Sequence, residues 1–312
     1  MRSAAIVFEK PGTLAVRQLV ISTPEASDVV VESRFSGVSS GTEKMLYEGT
    51  MPAFPGMRYP LVPGYETVGV VVEAGPTSGR SVGDQVFVPG ANCYTDAAGL
   101  FGASASLLVV PGARTVQTHF DEIEDAALLA LAATAHHAVC RSARAASLVI
   151  GHGVLGRLIA RISLATGNPP PVVWETRDAR RAGAKGYVVT SPDADRDLRH
   201  DVIIDASGDT TVIDKAIGRL NRRGDLVLAG FYGERVDFAF PAAFMKEASI
   251  IIAAEFTPAD VQAVLTLVET GRLSLGGLIT HHSQPSDAAS AYRTAFNDPD
   301  CLKMIIDWRN AA

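Results

Sequence analysis

Two textures of apolar patterning divide the chain. Up to about residue 117 the apolar residues fall in short, β-branched runs bounded by Gly, Pro and Asp: DVVVESRFSGV (28–38), TVGVVVEAG (67–75), GDQVFVPG (83–90) and ASLLVVPG (105–112). Runs of this length with turn residues at each end predict strands, and their spacing predicts a small barrel-like, partly open β-domain. Around Asp121 the pattern changes. DEIEDAALLALAATAHHAVCRSA (121–143) is Ala/Leu-rich with an acidic start, which predicts a helix whose first turn places negative charge at the positive end of its dipole.

Beyond it two patterns alternate. SLVIG (147–151), PVVWE (171–175), DVIIDASG (201–208) and GDLVLAG (224–230) are continuous apolar runs, whereas GVLGRLIARISLATG (153–167) and TVIDKAIGRL (211–220) carry apolar residues at helical spacing; NRRG (221–224) reads as a turn. Strands apolar on both faces, alternating with amphipathic helices, predict a parallel sheet covered on both sides. Two further helices, PADVQAVLTLVETG (258–271) and DAASAYRTAF (287–296), precede the strand-like CLKMIIDW (301–308). The fold class is α/β, in two domains.

Composition narrows the function. With 47% apolar residues among 312 there is material for a sizeable core, and a net charge of −6 without a basic run carries no electrostatic footprint for nucleic acid. Cys93, Cys140 and Cys301 are far apart and odd in number, so they read as reduced thiols rather than a disulfide framework. The start, MRSAAIVFEKPG, meets charges too soon for a signal peptide, and no run reaches the roughly 18–20 apolar residues of a spanning helix. A cytoplasmic protein is expected.

The sharpest motif is Gly151-His152-Gly153-Val154-Leu155-Gly156, which follows a predicted strand and opens a predicted helix; Glu175 ends the next strand. Each part has a physical job. Gly151 permits the tight turn, Gly153 lets the backbone approach a pyrophosphate, and Gly156 allows close helix–strand packing. Val154 and Leu155 open the helix, whose free N–H groups suit the anion. Glu175 can accept from an adenosine ribose and would repel a 2′-phosphate, which favours NAD. Arg177, Arg180 and Arg181 just downstream leave NADP open. Ser207 and Gly208 of DASGD complete the expected cofactor contacts.

A β-rich first domain with GVSSGTE, PGYETVGVVVEAG and VGDQVFV, followed by such a unit, resembles the medium-chain dehydrogenase/reductase superfamily. The closing LGGLITHH…AYRTAF and CLKMIIDW match that superfamily as well, so the resemblance covers essentially the whole chain. It implies a GroES-like catalytic domain, 1–117 completed by 257–312, around a Rossmann dinucleotide-binding domain, 118–256. Zinc-dependent members carry Cys-x-Thr/Ser-Asp where this sequence reads Ser40-Gly41-Thr42-Glu43, and Gly-His-Glu where it reads Gly64-Tyr65-Glu66. Their third ligand falls near residues 130–134, where no thiol, imidazole or carboxylate stands. Hydroxyls are poor Zn²⁺ ligands, and the cysteine-rich structural-zinc lobe is missing too. No metal is expected.

Without a Lewis acid, hydride transfer still needs a nicotinamide and a path for the alcohol proton. Thr42 occupies the position at which zinc members begin their proton relay. Tyr65 could exchange a proton with the substrate oxygen, with Ser40 nearby, and Glu66 could steer Tyr65 or serve as a base. His136 and His137 follow each other on a helix, where neighbours point about 100° apart, so one of them, taken as His137, would face the cofactor. Each has a plainer reading: Tyr65 fills the hole left by a lost metal, the histidines are packed, and Thr42 caps a turn.

Met45, Tyr47, Met51, Phe54, Met57 and Tyr59 crowd one Gly/Pro-interrupted loop. Pliable Met and flat aromatic side chains suit a large planar apolar ligand; alternatively, they tie the loop to the barrel. GTEKMLYEGTMPAFPGMRYPLVPGYE, FVPGANCYTDAAGLFGASASLLV, LLALAATAHHA, VIGHGVLGRL, LAGFY and FAFPAAFMKEA together closely resemble the bacteriochlorophyllide a dehydrogenase family. That resemblance implies NAD-dependent, zinc-independent oxidation of the 3-(1-hydroxyethyl) group of a Mg-tetrapyrrole, a bacteriochlorophyllide, to 3-acetyl in bacteriochlorophyll biosynthesis. It also implies work at the periphery of the photosynthetic membrane and, by analogy, a homodimer joined at the cofactor-domain sheet edge. The rival readings are a zinc-free NADPH quinone or enone reductase, and a non-catalytic carrier of NAD and pigment.

Overall fold

The computed structural model describes residues 1–53, 55–196 and 199–311. In chain order the main elements are β1 (Arg2–Lys10), β2 (Thr13–Val20), β3 (Asp28–Val38), α1 (Thr42–Glu48), β4 (Thr67–Ala74), β5 (Gln85–Val88), β6 (Leu107–Pro111), β7 (Val116–Gln117), α2 (Leu129–Cys140), β8 (Leu148–Ile150) and α3 (Val154–Ala165). They continue with β9 (Val172–Trp174), β10 (Val188–Thr190), β11 (His200–Asp205), α4 (Ile213–Arg219), β12 (Leu220–Leu228), α5 (Phe240–Lys246), β13 (Ser249–Ile252), α6 (Pro258–Glu269), β14 (His281–Ser283), α7 (Ala288–Asn297) and β15 (Met304–Asp307).

The chain forms two compact units, Met1–Ala130 with Gly276–Ala312, and Leu131–Leu275. Both divisions fall later than 117/118 and 256/257, for local reasons. The 3₁₀ turn Ile123–Leu128 packs on β3 and β4 and stays with the β-rich unit. Asp260, in the first turn of α6, is hydrogen-bonded by His136 and His137 of α2, which keeps α6 in the second unit.

In the first unit β1 and β2 form an antiparallel hairpin, and a second sheet runs β14-β15-β3-β4-β5-β7 with β6 paired to β3. The last strand returns to the first domain: Met304 to Asp307 pair antiparallel with Val38 to Phe35. One apolar core is built on Val29, Val31, Val71, Val86 and Leu108; another gathers Phe8, Leu46, Leu61, Tyr292, Ile306 and Trp308.

The second unit is a six-stranded parallel sheet in the order β10-β9-β8-β11-β12-β13. Numbered within the unit this is 3-2-1-4-5-6, the doubly wound dinucleotide-binding order, with its topological switch between β8 and β11. The α/β class is therefore observed. Two local expectations change. NRRG is no free turn but part of β12, with Arg223 in the left-handed region at φ 60°. The helix expected from 121 begins as a 3₁₀ turn and becomes α-helical at Leu129. Among the described residues no helix is long and apolar enough to cross a membrane.

Candidate active site

In the second unit the switch point is lined by the ends of β8 and β11. Gly151 turns the chain at φ 96°, and a Cβ there would meet the Ser207 backbone at 3.3 Å. A Cβ at Gly156 would lie 1.9 Å from the Gly151 carbonyl oxygen, so the first turn of α3 can pack on the preceding loop only with glycine. Gly153, the N-cap of α3, has no side-chain cap, and its would-be Cβ meets nothing within 4 Å among the described residues. Tight glycines on two sides and open space on the third are what a backbone-bound pyrophosphate requires. Val154 is buried as the first residue of α3 and Leu155 is half-buried. Asp205, fully buried at the end of β11, accepts from the Ser207 amide (2.9 Å) and hydroxyl (2.7 Å) and from Tyr232, which fixes the turn into Gly208 (φ 68°).

Glu175 sits at the end of β9 with 8% of its surface exposed. Its Oε1 accepts from the Arg177 amide at 2.8 Å and its Oε2 from the His152 amide at 3.2 Å, so the carboxylate is pinned against the glycine loop. Of the three arginines downstream, Arg181 donates to the Glu175 and Thr176 carbonyls and pairs with Asp178.

His152, inside the glycine motif, was not singled out in the sequence. Its imidazole is fully buried: Nδ1 lies 2.6 Å from the Arg180 carbonyl and Nε2 2.9 Å from the Tyr187 hydroxyl. A carbonyl only accepts, so Nδ1 carries the hydrogen and Nε2 accepts from Tyr187. Burial, joined by nearby Arg157, pulls its pKa down to about 4 despite the Arg180 carbonyl. Arg157 adds bonds to the carbonyls of His152, Arg180 and Ala182, so the 175–187 segment is fastened to the glycine loop. The signal was the unusual side chain between two motif glycines.

The histidine pair on α2 is arranged differently from the expectation. Rather than one ring turning away, His136 and His137 both bring Nδ1 to Asp260, at 2.7 and 3.1 Å. Burial would raise the Asp260 pKa, but the Thr257 hydroxyl and amide and the two imidazoles outweigh it and hold it at about 2. His137 thus serves a clasp between α2 and α6.

In the first unit the polar candidates converge around Tyr65. Its hydroxyl donates to Ser39 Oγ at 2.7 Å, and its ring stacks edge-on against Phe101. Burial and the neighbouring Glu66 push the Tyr65 phenol well above its ordinary value, while Ser39 and Thr42 partly oppose the shift. Ser40, expected beside Tyr65, is exposed; its neighbour Ser39 is the buried partner. Glu66 is fully buried, and its Oε2 lies 2.5 Å from Lys303 Nζ, which also donates to the Val38 carbonyl. A Cβ at position 37 would fall 2.0 Å from Glu66 Oε2, so Gly37 on β3 makes the room for that carboxylate. Glu43, one residue after Thr42 on α1, is also fully buried. Burial first, then Glu66, raises its carboxyl to about 8. The sequence reading missed Glu43, Ser39, Tyr292 and Lys303. The last two sit more than 200 positions away, and only strand pairing of β15 with β3 reveals them.

The loop after α1 is held by its own side chains. Tyr47 donates to the Gly12 carbonyl at 2.9 Å and packs on Phe8 and Phe296, and the Tyr59 hydroxyl bonds the Leu46 carbonyl. Met51 is buried in the same core, against which Met45 and Met57 pack; Phe54 lies outside the described residues.

Residues 25–119 match the family described as the alcohol dehydrogenase GroES-like domain. The chain is 52% identical to the 2-desacetyl-2-hydroxyethyl bacteriochlorophyllide A dehydrogenase of Cereibacter sphaeroides and 50% identical to that of Rhodobacter capsulatus, each over 100% of both chains. Among solved structures, L-idonate 5-dehydrogenase from Escherichia coli superposes with a TM-score of 0.85 at 18% identity, covering 98% of each chain.

Proposed function

Because the chain belongs to the bacteriochlorophyllide a dehydrogenase family of medium-chain dehydrogenases, we propose that it oxidises the 3-(1-hydroxyethyl) group of a bacteriochlorophyllide to 3-acetyl, with NAD as acceptor and without zinc. The observation that carries the reading is full-length identity of 52% to a relative named for that substrate. The chemistry around Tyr65 supports it: a phenol stands where zinc members place an imidazole ligand, and it is hydrogen-bonded to Ser39.

When bound, the nicotinamide supplies the hydride acceptor. The chain supplies position and proton handling. Gly151, Gly153 and Gly156 with the first turn of α3, Val154 and Leu155, would hold the pyrophosphate; Glu175 would accept from the ribose hydroxyls, and Ser207 and Gly208 border the same switch point. Its pinned negative charge disfavours a 2′-phosphate, which supports NAD over NADP. Tyr65, assisted by Thr42, would relay the proton of the carbinol hydroxyl, taking it as its own O–H proton passes to Ser39. Met45, Met57 and Tyr59 offer the pliable apolar contacts a tetrapyrrole needs.

The protein acts peripherally to the photosynthetic membrane in this reading. It forms a homodimer along β13, the sheet edge on which Ile252 is 61% exposed; sedimentation of the purified chain as a monomer would remove that part.

The direct test is to incubate chelator-treated protein with NAD⁺ and a 3-(1-hydroxyethyl) bacteriochlorophyllide, following NADH and the pigment's red absorption together. Stoichiometric NADH and acetyl pigment at an undiminished rate is the expected result. A requirement for added zinc would remove the metal-free mechanism, faster turnover of quinones with NADPH would favour the reductase, and tight pigment binding without product would favour a carrier.

A further inference from the structure

Two carboxylates and one ammonium are sealed inside the first unit: Glu43 and Glu66 are 0% exposed and Lys303 is 3% exposed. Lys303 is committed to Glu66 Oε2 and the Val38 carbonyl. Neither carboxylate oxygen of Glu43 has a hydrogen-bond partner among the described residues. An ionised carboxylate in that position would lose its hydration without gaining a counter-ion and would repel Glu66. The three groups are neutral together only if they hold one proton, and the Lys303 contact leaves Glu43 as its place.

The groups facing Glu43 are Glu66 from the start of β4, Lys303 from the approach to β15, the Tyr292 hydroxyl from α7 and the Ser39 amide from the end of β3. Tyr292 and Ser39 ease the carboxylate without closing a hydrogen bond of ordinary geometry onto it. Ser39 is the link outward. Its hydroxyl accepts from Tyr65 at 2.7 Å while its amide faces Glu43, and Tyr65 senses the Glu43 charge directly.

We infer that Glu43 is the proton store of this site, acting through Ser39 and Tyr65; the inference rests on the dehydrogenase reading above. In oxidation the carbinol C–H would be lost as hydride, for which a bound nicotinamide would be the acceptor, and the C=O bond would form. The carbinol O–H proton passes to the Tyr65 oxygen as Tyr65 gives its own proton to Ser39, whose hydroxyl proton ends on ionised Glu43 once that carboxylate turns from the Ser39 amide onto the Ser39 hydroxyl, a contact the resting arrangement does not make. Reduction runs the relay backward from protonated Glu43. Glu43 touches neither substrate nor cofactor and is a positioning residue for the proton. With its carboxyl raised to about 8 by burial and Glu66, the accepting form grows as pH rises through that value.

The test uses the full chain as wild type, E43Q and E43D. Infrared titration reads the carboxylic-acid C=O band, and pigment oxidation is followed against pH. The expected result is a band that disappears as pH rises through about 8 in the wild type and is missing from E43Q. Oxidation by E43Q falls about 10²-fold with a flat pH profile and little change in KM, and E43D recovers pH-dependent turnover. A band that persists in E43Q, or E43Q turnover with the wild-type rate and profile, overturns the inference. A wild type that shows the titrating band yet oxidises no pigment overturns the substrate reading instead, and leaves the protonated Glu43 supported.

Discussion

Lys303 Nζ lies 2.5 Å from Glu66 Oε2 with both side chains closed off from solvent. The contact joins the start of β4 to the segment entering β15, 237 positions apart in sequence. Breaking one half of such a pair leaves an uncompensated buried charge. Lys303→Met should therefore cost about 3–5 kcal/mol in stability, read by denaturant unfolding. Adding Glu66→Gln should recover much of that loss, because the remaining group is then neutral. A single mutant as stable as the wild type would show the pair to be energetically idle.

Tyr65→Phe deletes the hydroxyl that donates to Ser39 and keeps the ring against Phe101. Loss of one hydrogen bond should cost about 1 kcal/mol of stability. Loss of a proton carrier should lower kcat about 10²-fold with KM nearly unchanged. Steady-state kinetics beside a melting curve separates the two roles. Unchanged kcat would reduce Tyr65 to a space-filling residue.

If the proposed ribose contact holds, cofactor choice turns on Glu175. Its carboxylate accepts the His152 and Arg177 amides and is fixed against the glycine loop. Glu175→Gln keeps an acceptor oxygen and removes the charge, so NADP should gain on NAD by about tenfold in kcat/KM, the effect of roughly 1.4 kcal/mol of relieved repulsion. Glu175→Ala should do the same and also loosen the loop. An NAD preference unmoved in both variants would place selectivity on other residues.

The parallel sheet was legible because strands buried on both faces are continuous apolar runs, as in Leu148–Ile150 and in Val202, Ile203 and Ile204. The glycine motif was legible because backbone geometry at Gly151 and Gly156 excludes side chains. The cluster around Tyr65 was only half visible. Glu66 and Thr42 lie near recognisable motifs, but Lys303 and Tyr292 reach them through the return of β15 and α7, which local patterning does not encode. Ser39 directly follows β3 and is buried, whereas Ser40 lies in the turn into α1 and is exposed, a difference that residue type does not encode. The β13 strand and α5 were missed because Phe240, Phe244, Met245 and Ile252 are exposed, so their apolar pattern marks no buried face.

His152 ties the glycine loop to acid stability. Its pKa is lowered to about 4 by burial, with Arg157 adding to the shift, against roughly 6.5 in the unfolded chain. Because the folded state disfavours the proton, the contribution of neutral His152 is complete above pH 6.5 and is lost as pH falls from there toward 4. Protonation also removes the Nε2 lone pair that accepts from Tyr187, the bond that helps fasten the 175–187 segment to the glycine loop. Acidification from pH 7 to 5 should lower the melting temperature and weaken NADH binding together. In His152→Gln, which cannot titrate, part of that pH dependence should vanish from both measurements. If the variant follows the wild-type pH curve in each, the acid sensitivity originates elsewhere and His152 is a spectator in the loop.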